Sequence, residues 1–286
     1  MNLAIASGKG GTGKTTLAVN LARVIGGPVQ LLDCDVEAPN AHLFLGGPAR
    51  ERRVIGIPVP EVDPHRCDGC GECGRFCAWH AIVSFGTTPL VFPELCHGCG
   101  GCALVCPRGA IRETERRIGE VEIRQVDHIT LVTGRLDVGV AAAPPLVAAV
   151  KAARREDVPA ILDAPPGTSC PVVATLRGAD AVLLVAEPTP FGLHDLELAV
   201  ATVREMGLAL GVVVNRMGSG DDRVQRWCAG EGLPVLLEIP DDLRVAQAYS
   251  RGELMVDAVP AYRPLLTGLL ARIADLTRAT GTVRAR

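Results

Sequence analysis

Residues 8–16 read GKGGTGKTT and contain G-x-x-x-x-G-K-T, directly after a short apolar run and directly before apolar residues at helical spacing. In that context the backbone N–H groups of Gly10, Gly11, Thr12, Gly13, Lys14, Thr15 and Thr16 can turn inward around phosphate oxygens, and the start of a helix adds partial positive charge. Lys14 is then placed to reach the β- and γ-phosphates, and the Thr15 hydroxyl to ligate Mg²⁺. ATP with Mg²⁺ is the kind of ligand such a loop suits.

Carboxylates recur at the ends of apolar runs. In LLDCD (31–35), Asp33 and Asp35 stand at alternate positions just past a strand pattern, so both can face one side. ILDAPPG (161–167) repeats the arrangement, and Asp163 is placed for water-mediated Mg²⁺ binding. Asn215-Arg216 and Pro240-Asp241 also follow apolar runs, but these pairs are ordinary turn chemistry on their own.

Cys67, Cys70, Cys73 and Cys77 have C-x2-C-x2-C-x3-C spacing, and Cys96, Cys99, Cys102 and Cys106 repeat it 29 residues later with Pro107 following. Bacterial two-cluster ferredoxins carry this pattern: three thiolates wrap one face of a cubane and the fourth crosses to the other cluster. The expected [4Fe-4S] ligand sets are therefore Cys67, Cys70, Cys73 and Cys106 for one cluster, and Cys96, Cys99, Cys102 and Cys77 for the other. Zinc is the rival metal, but it usually takes its thiolates in two separated pairs. Ala78 departs from the pattern, which would often have proline there. Cys34, Cys170 and Cys228 lie outside both motifs and are expected to be small buried residues.

The elements that must position these groups are legible as alternating apolar runs. Residues 2–6, 28–33, 160–163, 179–186, 210–215 and 234–239 are continuous rather than alternating in hydrophobicity, as in strands buried on both faces. Helical patterns at 146–155, 193–206 and 221–231 lie between them, giving a doubly wound, mostly parallel α/β sheet whose ligands sit at the carboxyl ends of the strands. Residues 61–112 break the pattern, being rich in Cys, Gly and Pro, and form an expected inserted ferredoxin-like α+β module. Residues 1–60 and 113–286 then make a discontinuous nucleotide-binding domain.

Composition narrows the function classes. The 286 residues carry a net charge of -3 with both signs dispersed, so no basic tract points to nucleic acid. The N-terminal apolar stretch is far shorter than a secretory signal core, and no run approaches the roughly 20 residues that span a bilayer. A cytoplasmic location is the expectation. Leu265, Leu266, Leu269, Leu270 and Ile273 in the last helical pattern are expected to pack on the core rather than on a membrane surface.

The early lysine in KGGTGKTT, Lys9, resembles that of the deviant Walker A loop of the MinD, Mrp and nitrogenase iron-protein class. With the cysteine motifs, the whole chain resembles MinD-superfamily P-loop ATPases that contain an inserted ferredoxin domain. The segment 187–195, EPTPFGLHD, is similar to that family's stretch after the corresponding strand. The resemblance implies a homodimer with ATP at its interface, in which Lys9 acts on the partner's nucleotide. It further implies that Asp35 orients the attacking water, that Asp33 holds water on the Mg²⁺ shell, and that Asn215, Arg216, Pro240 and Asp241 contact adenine.

A slow, partner-stimulated ATPase that gates electron transfer from two clusters to a partner protein is the leading expectation. An Mrp-like iron-sulfur carrier delivering clusters to an apo-protein is the first alternative. A MinD-like positioning or assembly switch, in which the clusters only stabilise the insert, is the second.

Overall fold

The computed structural model describes residues 1–284. Its strands are β1 (Asn2–Ala6), β2 (Val29–Asp33), β3 (Ala49–Val62), β4 (Ile82–Val83), β5 (Leu90–Val91), β6 (Ile111–Val126), β7 (Ile129–Leu136), β8 (Ala160–Asp163), β9 (Ala181–Ala186), β10 (Ala209–Met217) and β11 (Val235–Pro240). Its helices are α1 (Lys14–Val24), α2 (Glu72–Phe76), α3 (Gly101–Leu104), α4 (Ala143–Ala152), α5 (Cys170–Leu176), α6 (Pro190–Glu205), α7 (Arg223–Gly230), α8 (Leu243–Ser250), α9 (Met255–Ala258) and α10 (Tyr262–Arg284).

The chain divides into two compact units. The first comprises Met1–Arg52, Val121–Arg135 and Val147–Arg286; the second comprises Arg53–Glu120 and Leu136–Leu146. The expected insertion at 61–112 lies within the second unit. Strands β3 and β6 each contribute one end to each unit, which is why the second reaches back to Arg53 and on to Glu120.

The sheet runs β11-β10-β9-β1-β8-β2-β7-β6-β3. Every neighbouring pair from β11 to β7 is parallel. Only two residues, Asp127 and His128, join β6 to β7, and so short a connection can link only antiparallel neighbours. Asp127 takes the left-handed conformation, φ 51°, that this tight turn needs. The apolar runs became β1, β2, β8, β9, β10 and β11, and all residues of β2, β8 and β9 are buried, as continuous hydrophobicity demands.

One apolar cluster gathers Leu3 and Ile5 of β1, Leu17 and Leu21 of α1, Leu31 of β2 and Leu183 of β9. Leu266, Leu269 and Ile273 of α10 close over the same cluster, while Leu265 remains 44% exposed. The last helix thus turns one stripe inward, as core packing requires. Burying each such leucine stabilises the unit by about 1.5–3 kcal/mol, which anchors the strand ends that carry the polar groups.

The second unit shows the internal repeat as geometry. Helices α2 and α3 begin after Gly71 and Gly100, both in the left-handed region, and Gly69 and Gly98 match one another in the same way. Ala81 and Ala110 are both buried, and their carbonyls accept from Phe92 N at 2.8 Å and Asp63 N at 2.7 Å. At the next equivalent pair, His80 has φ 52° where the second copy has Gly109 at φ 54°. Strands β4 and β5 form a short antiparallel pair, Ile82 opposite Val91 and Val83 opposite Leu90.

Cys34 and Cys228 are buried as expected, but Cys170 is exposed. It occupies the first position of α5, whose buried face is made by Val172, Thr175 and Leu176. Among the described residues no helix is long and apolar enough to cross a membrane.

Candidate functional site

Strand β1 ends at Ala6, and from Ser7 the chain wraps through the glycine loop into α1. Gly13, at φ 97°, is the N-cap of α1, and no side chain caps that end, so the first N–H groups of the helix are free for an anion. A Cβ at Gly13 would stand 2.5 Å from Asn215 Nδ2, so the position takes only glycine. Asn215, near the end of β10, donates through Nδ2 to the Thr12 carbonyl at 2.7 Å, tying the loop to a strand two places along the sheet from β1.

A cavity of ≈ 480 Å³ opens over this loop. Gly10, Gly11, Gly13, Lys14, Thr15 and Thr16 line its floor, Asp35 one wall, and Asn215, Arg216, Pro240 and Asp241 another. Eleven residues singled out from the sequence thus meet around one space. Sequence reading missed its apolar side, formed by Val185, Ile239, Val245, Tyr249 and Met255. Asp242, which caps α8 by accepting from Arg244 N, is the local signal that places Val245 and Tyr249 there.

Lys14 is only 6% exposed. Its ammonium donates to Ser7 Oγ at 3.0 Å and lies 3.5 Å from the Lys9 carbonyl, while the Ser7 hydroxyl itself donates to that carbonyl at 2.5 Å. Ser7 had no signal in the sequence beyond its place at a strand end. Burial lowers the Lys14 pKa, and the charges of Asp163 and Asp35 partly restore it.

Asp33 and Asp163 are directly paired in the register of β2 and β8, and both are fully buried. Asp33 is engaged by backbone: its carboxylate accepts from Asn40 N and Ala41 N at 3.0 Å each and from Asp35 N at 3.3 Å. It therefore pins the segment that carries Asp35. Burial, with the Asp163 charge adding, raises its pKa well above the usual carboxylate range. Burial likewise raises Asp35, opposed by the Lys14 ammonium.

Asp163 differs, because neither carboxylate oxygen has a hydrogen-bond partner and Thr133 Oγ1 and Thr12 Oγ1 are also buried and unpaired. Burial pushes its pKa up to about 7; the Thr15 hydroxyl opposes this from nearby without forming a well-aligned hydrogen bond, and Lys14 opposes it with charge. A buried carboxylate lacking partners is costly unless a cation or its water shell supplies them. With Thr15 on the cavity wall, the donor set fits Mg²⁺.

Lys9 does not line the cavity. Its ammonium is turned onto Glu187 Oε2 at 2.7 Å, and Arg216 Nη1 meets the other oxygen of the same carboxylate at 2.7 Å.

In the second unit the cysteines fall into two groups. Cys67, Cys70, Cys73 and Cys106 line one cavity together with Asp68, Glu72 and Arg108. Cys77, Cys96, Cys99 and Cys102 line another with Phe76, Trp79, His97 and Glu113. The first is nearly closed at ≈ 10 Å³ and the second holds ≈ 200 Å³. Cys106 Sγ accepts from Ala110 N at 3.3 Å and Cys96 Sγ from Gly98 N at 3.4 Å. Burial pushes the Cys102 thiol up to about 11. No three His, Cys, Asp or Glu side chains among the described residues converge on a point as a single-ion site. Trp79 and His97 stack at 3.7 Å between centroids and 15° between planes beside the second group.

The family model described as the CobQ/CobB/MinD/ParA nucleotide binding domain matches residues 3–255. An uncharacterized protein of Methanocaldococcus jannaschii is 30% identical over 88% of this chain and 90% of its own length. A protein of Pyrococcus abyssi named iron-sulfur cluster carrier protein is 23% identical over 87% of this chain and 77% of its own. The septum site-determining protein MinD of Pyrococcus horikoshii, solved with Mg-ADP, superposes with a TM-score of 0.59 at 20% identity, covering 98% of each chain.

Proposed function

The chain belongs to the CobQ/CobB/MinD/ParA nucleotide-binding family, and from that premise we propose that it is a MgATP-dependent ATPase whose second unit carries two [4Fe-4S] clusters and passes electrons to a partner protein. The observation that carries this reading is the sorting of eight thiols into two crossed quartets, each around its own cavity, in a chain with a complete phosphate loop. Four sulfurs around a space suit a cubane, which needs ligands spread over its corners rather than aimed at one point.

In this reading the backbone from Gly10 to Thr16 cradles the phosphates and Lys14 neutralises the β- and γ-oxygens. Thr15 and Asp163 hold Mg²⁺, the aspartate through water, and Mg²⁺ supplies charge neutralisation at the phosphates when bound. Asp33 keeps the Asp35 segment in place and faces the Mg²⁺ shell, and Asp35 orients the attacking water. Asn215, Arg216, Pro240 and Asp241 hold the base, backed by the apolar wall. Lys9 belongs to a second copy's nucleotide in an ATP-dependent homodimer. The clusters supply one-electron storage when bound, and the cysteines with their N–H donors set where that charge rests.

Delivery of clusters to an apo-protein is a second reading, favoured by the exposure of Cys70 and Cys99 and by the carrier name of the Pyrococcus abyssi relative. Anaerobic transfer of radiolabelled iron to an apo-acceptor at a rate set by ATP supports this second reading over the first.

The nucleotide half of the proposal is checked by sedimentation of the anaerobically loaded chain. With MgATP and hydrolysis slowed, the 30.0 kDa chain is expected to sediment as a dimer, and with MgADP as a monomer. One mass in every nucleotide state contradicts the ATP-dependent dimer.

A further inference from the structure

We propose that Glu187 is a positioning residue that holds Lys9 inward in the single chain and releases it when two chains close on ATP. The proposal rests on the dimer reading above. It begins from the carboxylate's two partners: Lys9 Nζ at 2.7 Å on Oε2 and Arg216 Nη1 at 2.7 Å on Oε1. Glu187 is 10% exposed at its side chain and Lys9 32%, so the pair lies at the rim of the phosphate loop with its anion inside and its cation outside.

A lysine committed to its own chain cannot reach a phosphate on another, so Glu187 competes directly with the partner's nucleotide for Lys9. Stripping one partner from a buried ion pair is ordinarily expensive because it abandons a buried charge. Here the second cation removes that obstacle. When Lys9 leaves Oε2, Arg216 still pairs Oε1, and the carboxylate stays neutralised. Arg216 sits in the left-handed region at φ 58°, its carbonyl accepting from Ser219 Oγ at 2.7 Å, and its Nη2 also reaches the Gly11 carbonyl at 3.4 Å. Such a backbone conformation in a non-glycine residue is retained where a side chain must be aimed.

The segment around Glu187 is seated firmly against the loop that carries Lys9. A Cβ on Gly8 would fall 2.0 Å from the Asp195 carbonyl oxygen, and one on Gly220 would fall 1.7 Å from that of Pro188. Asp221 N donates to the Pro188 carbonyl at 3.1 Å, and Thr189 caps α6 by accepting from Gly192 N at 3.0 Å. Backbone therefore touches backbone on both sides of Glu187, and the carboxylate is a fixed post rather than a mobile surface charge.

The composition makes the test clean. Among 29 basic residues only Lys9, Lys14 and Lys151 are lysines. Lys14 is buried, and the Lys151 ammonium donates to the carbonyls of Ala174, Thr175 and Arg177. Amine acylation followed by mass spectrometry therefore reads Lys9 against two protected lysines. In the loaded, nucleotide-free chain, Glu187→Gln is expected to raise Lys9 acylation about threefold, within what a partly exposed ion pair contributes. The ATP-bound dimer is expected to form at about threefold lower concentration, and Glu187→Asp to lie close to wild type in both readouts. In a Lys9→Ala background, Glu187→Gln should leave the dimer dissociation constant unchanged, a result that a merely structural role for Glu187 does not give. Equal Lys9 reactivity in wild type and Glu187→Gln, or a freed Lys9 with an unaltered dimer constant, overturns the proposal while leaving the dimer intact. A wild-type chain that stays monomeric with ATP overturns the dimer reading itself and this proposal with it.

Discussion

Replacing Cys77 and Cys99 together by serine is expected to remove no more iron than replacing either alone, about half the total, whereas replacing Cys77 and Cys70 together removes nearly all of it. The reason is the crossing of the quartets. Cys77 follows α2 within the first motif in sequence, yet it lines the cavity of Cys96, Cys99 and Cys102, and Cys106 lines that of Cys67, Cys70 and Cys73. A chain with two complete clusters holds about eight irons, and losing one ligand set leaves about four. Ligands of the same cluster act as a unit, so their losses do not add; ligands of different clusters do add. Iron and sulfide analysis of anaerobically reconstituted variants, alongside their electron paramagnetic resonance spectra, reads the pairing directly. Uncrossed pairing gives the reverse: Cys77 and Cys70 together would cost only half the iron.

Lys14→Ala is expected to lower ATP turnover by about 10²–10³-fold, the scale for removing a positioned charge from a reacting phosphate. The variant should also lose the thermal stabilisation that MgATP confers, about 2.7 kcal/mol at a ligand concentration 100 times the dissociation constant. The lysine also has partners of its own besides the proposed phosphate contact. Its buried ammonium donates to Ser7 Oγ and is the cation that offsets the charges of Asp163 and Asp35. Arginine is a poor substitute, since a planar fork cannot enter a space shaped for a compact ammonium 6% exposed. Differential scanning calorimetry with and without MgATP separates loss of binding from loss of fold. A variant that melts normally without ligand and still gains stability from MgATP contradicts this assignment.

What could be read from the sequence follows from how local each signal is. The glycine loop, the paired aspartates at the end of β2 and the cysteine spacing are short-range patterns; the cavity over the loop gathers most of the loop and Asp35, while Asp33 is taken up by the backbone N–H groups of Asn40 and Ala41. Strands β3, β6 and β7 were not legible. Residues 49–62 and 111–126 carry arginines and glutamates along much of their length and lack the continuous apolar run that marks a buried strand. Their charges are paired instead, as in Arg112 with Glu61 at 2.7 Å and Arg52 with Glu122 at 2.9 Å. Cys170 is exposed because it opens α5 off the buried face, a helical phase that residue type alone does not carry. The contact between Lys9 and Glu187 joins residues far apart in the chain, and only the parallel order of β1 and β9 brings their ends together. The apolar side of the nucleotide cavity was hidden for the same reason, being shared among β9, β11, α8 and α9.

The most direct test of ATP-coupled electron transfer is an anaerobic redox titration of the reconstituted clusters, followed by electron paramagnetic resonance, with and without MgATP. The account predicts that MgATP shifts the midpoint of at least one cluster by about 59 mV, a tenfold change for a one-electron centre, and that the shift vanishes in Lys14→Ala. Midpoints that coincide with and without MgATP in the wild-type chain would contradict it.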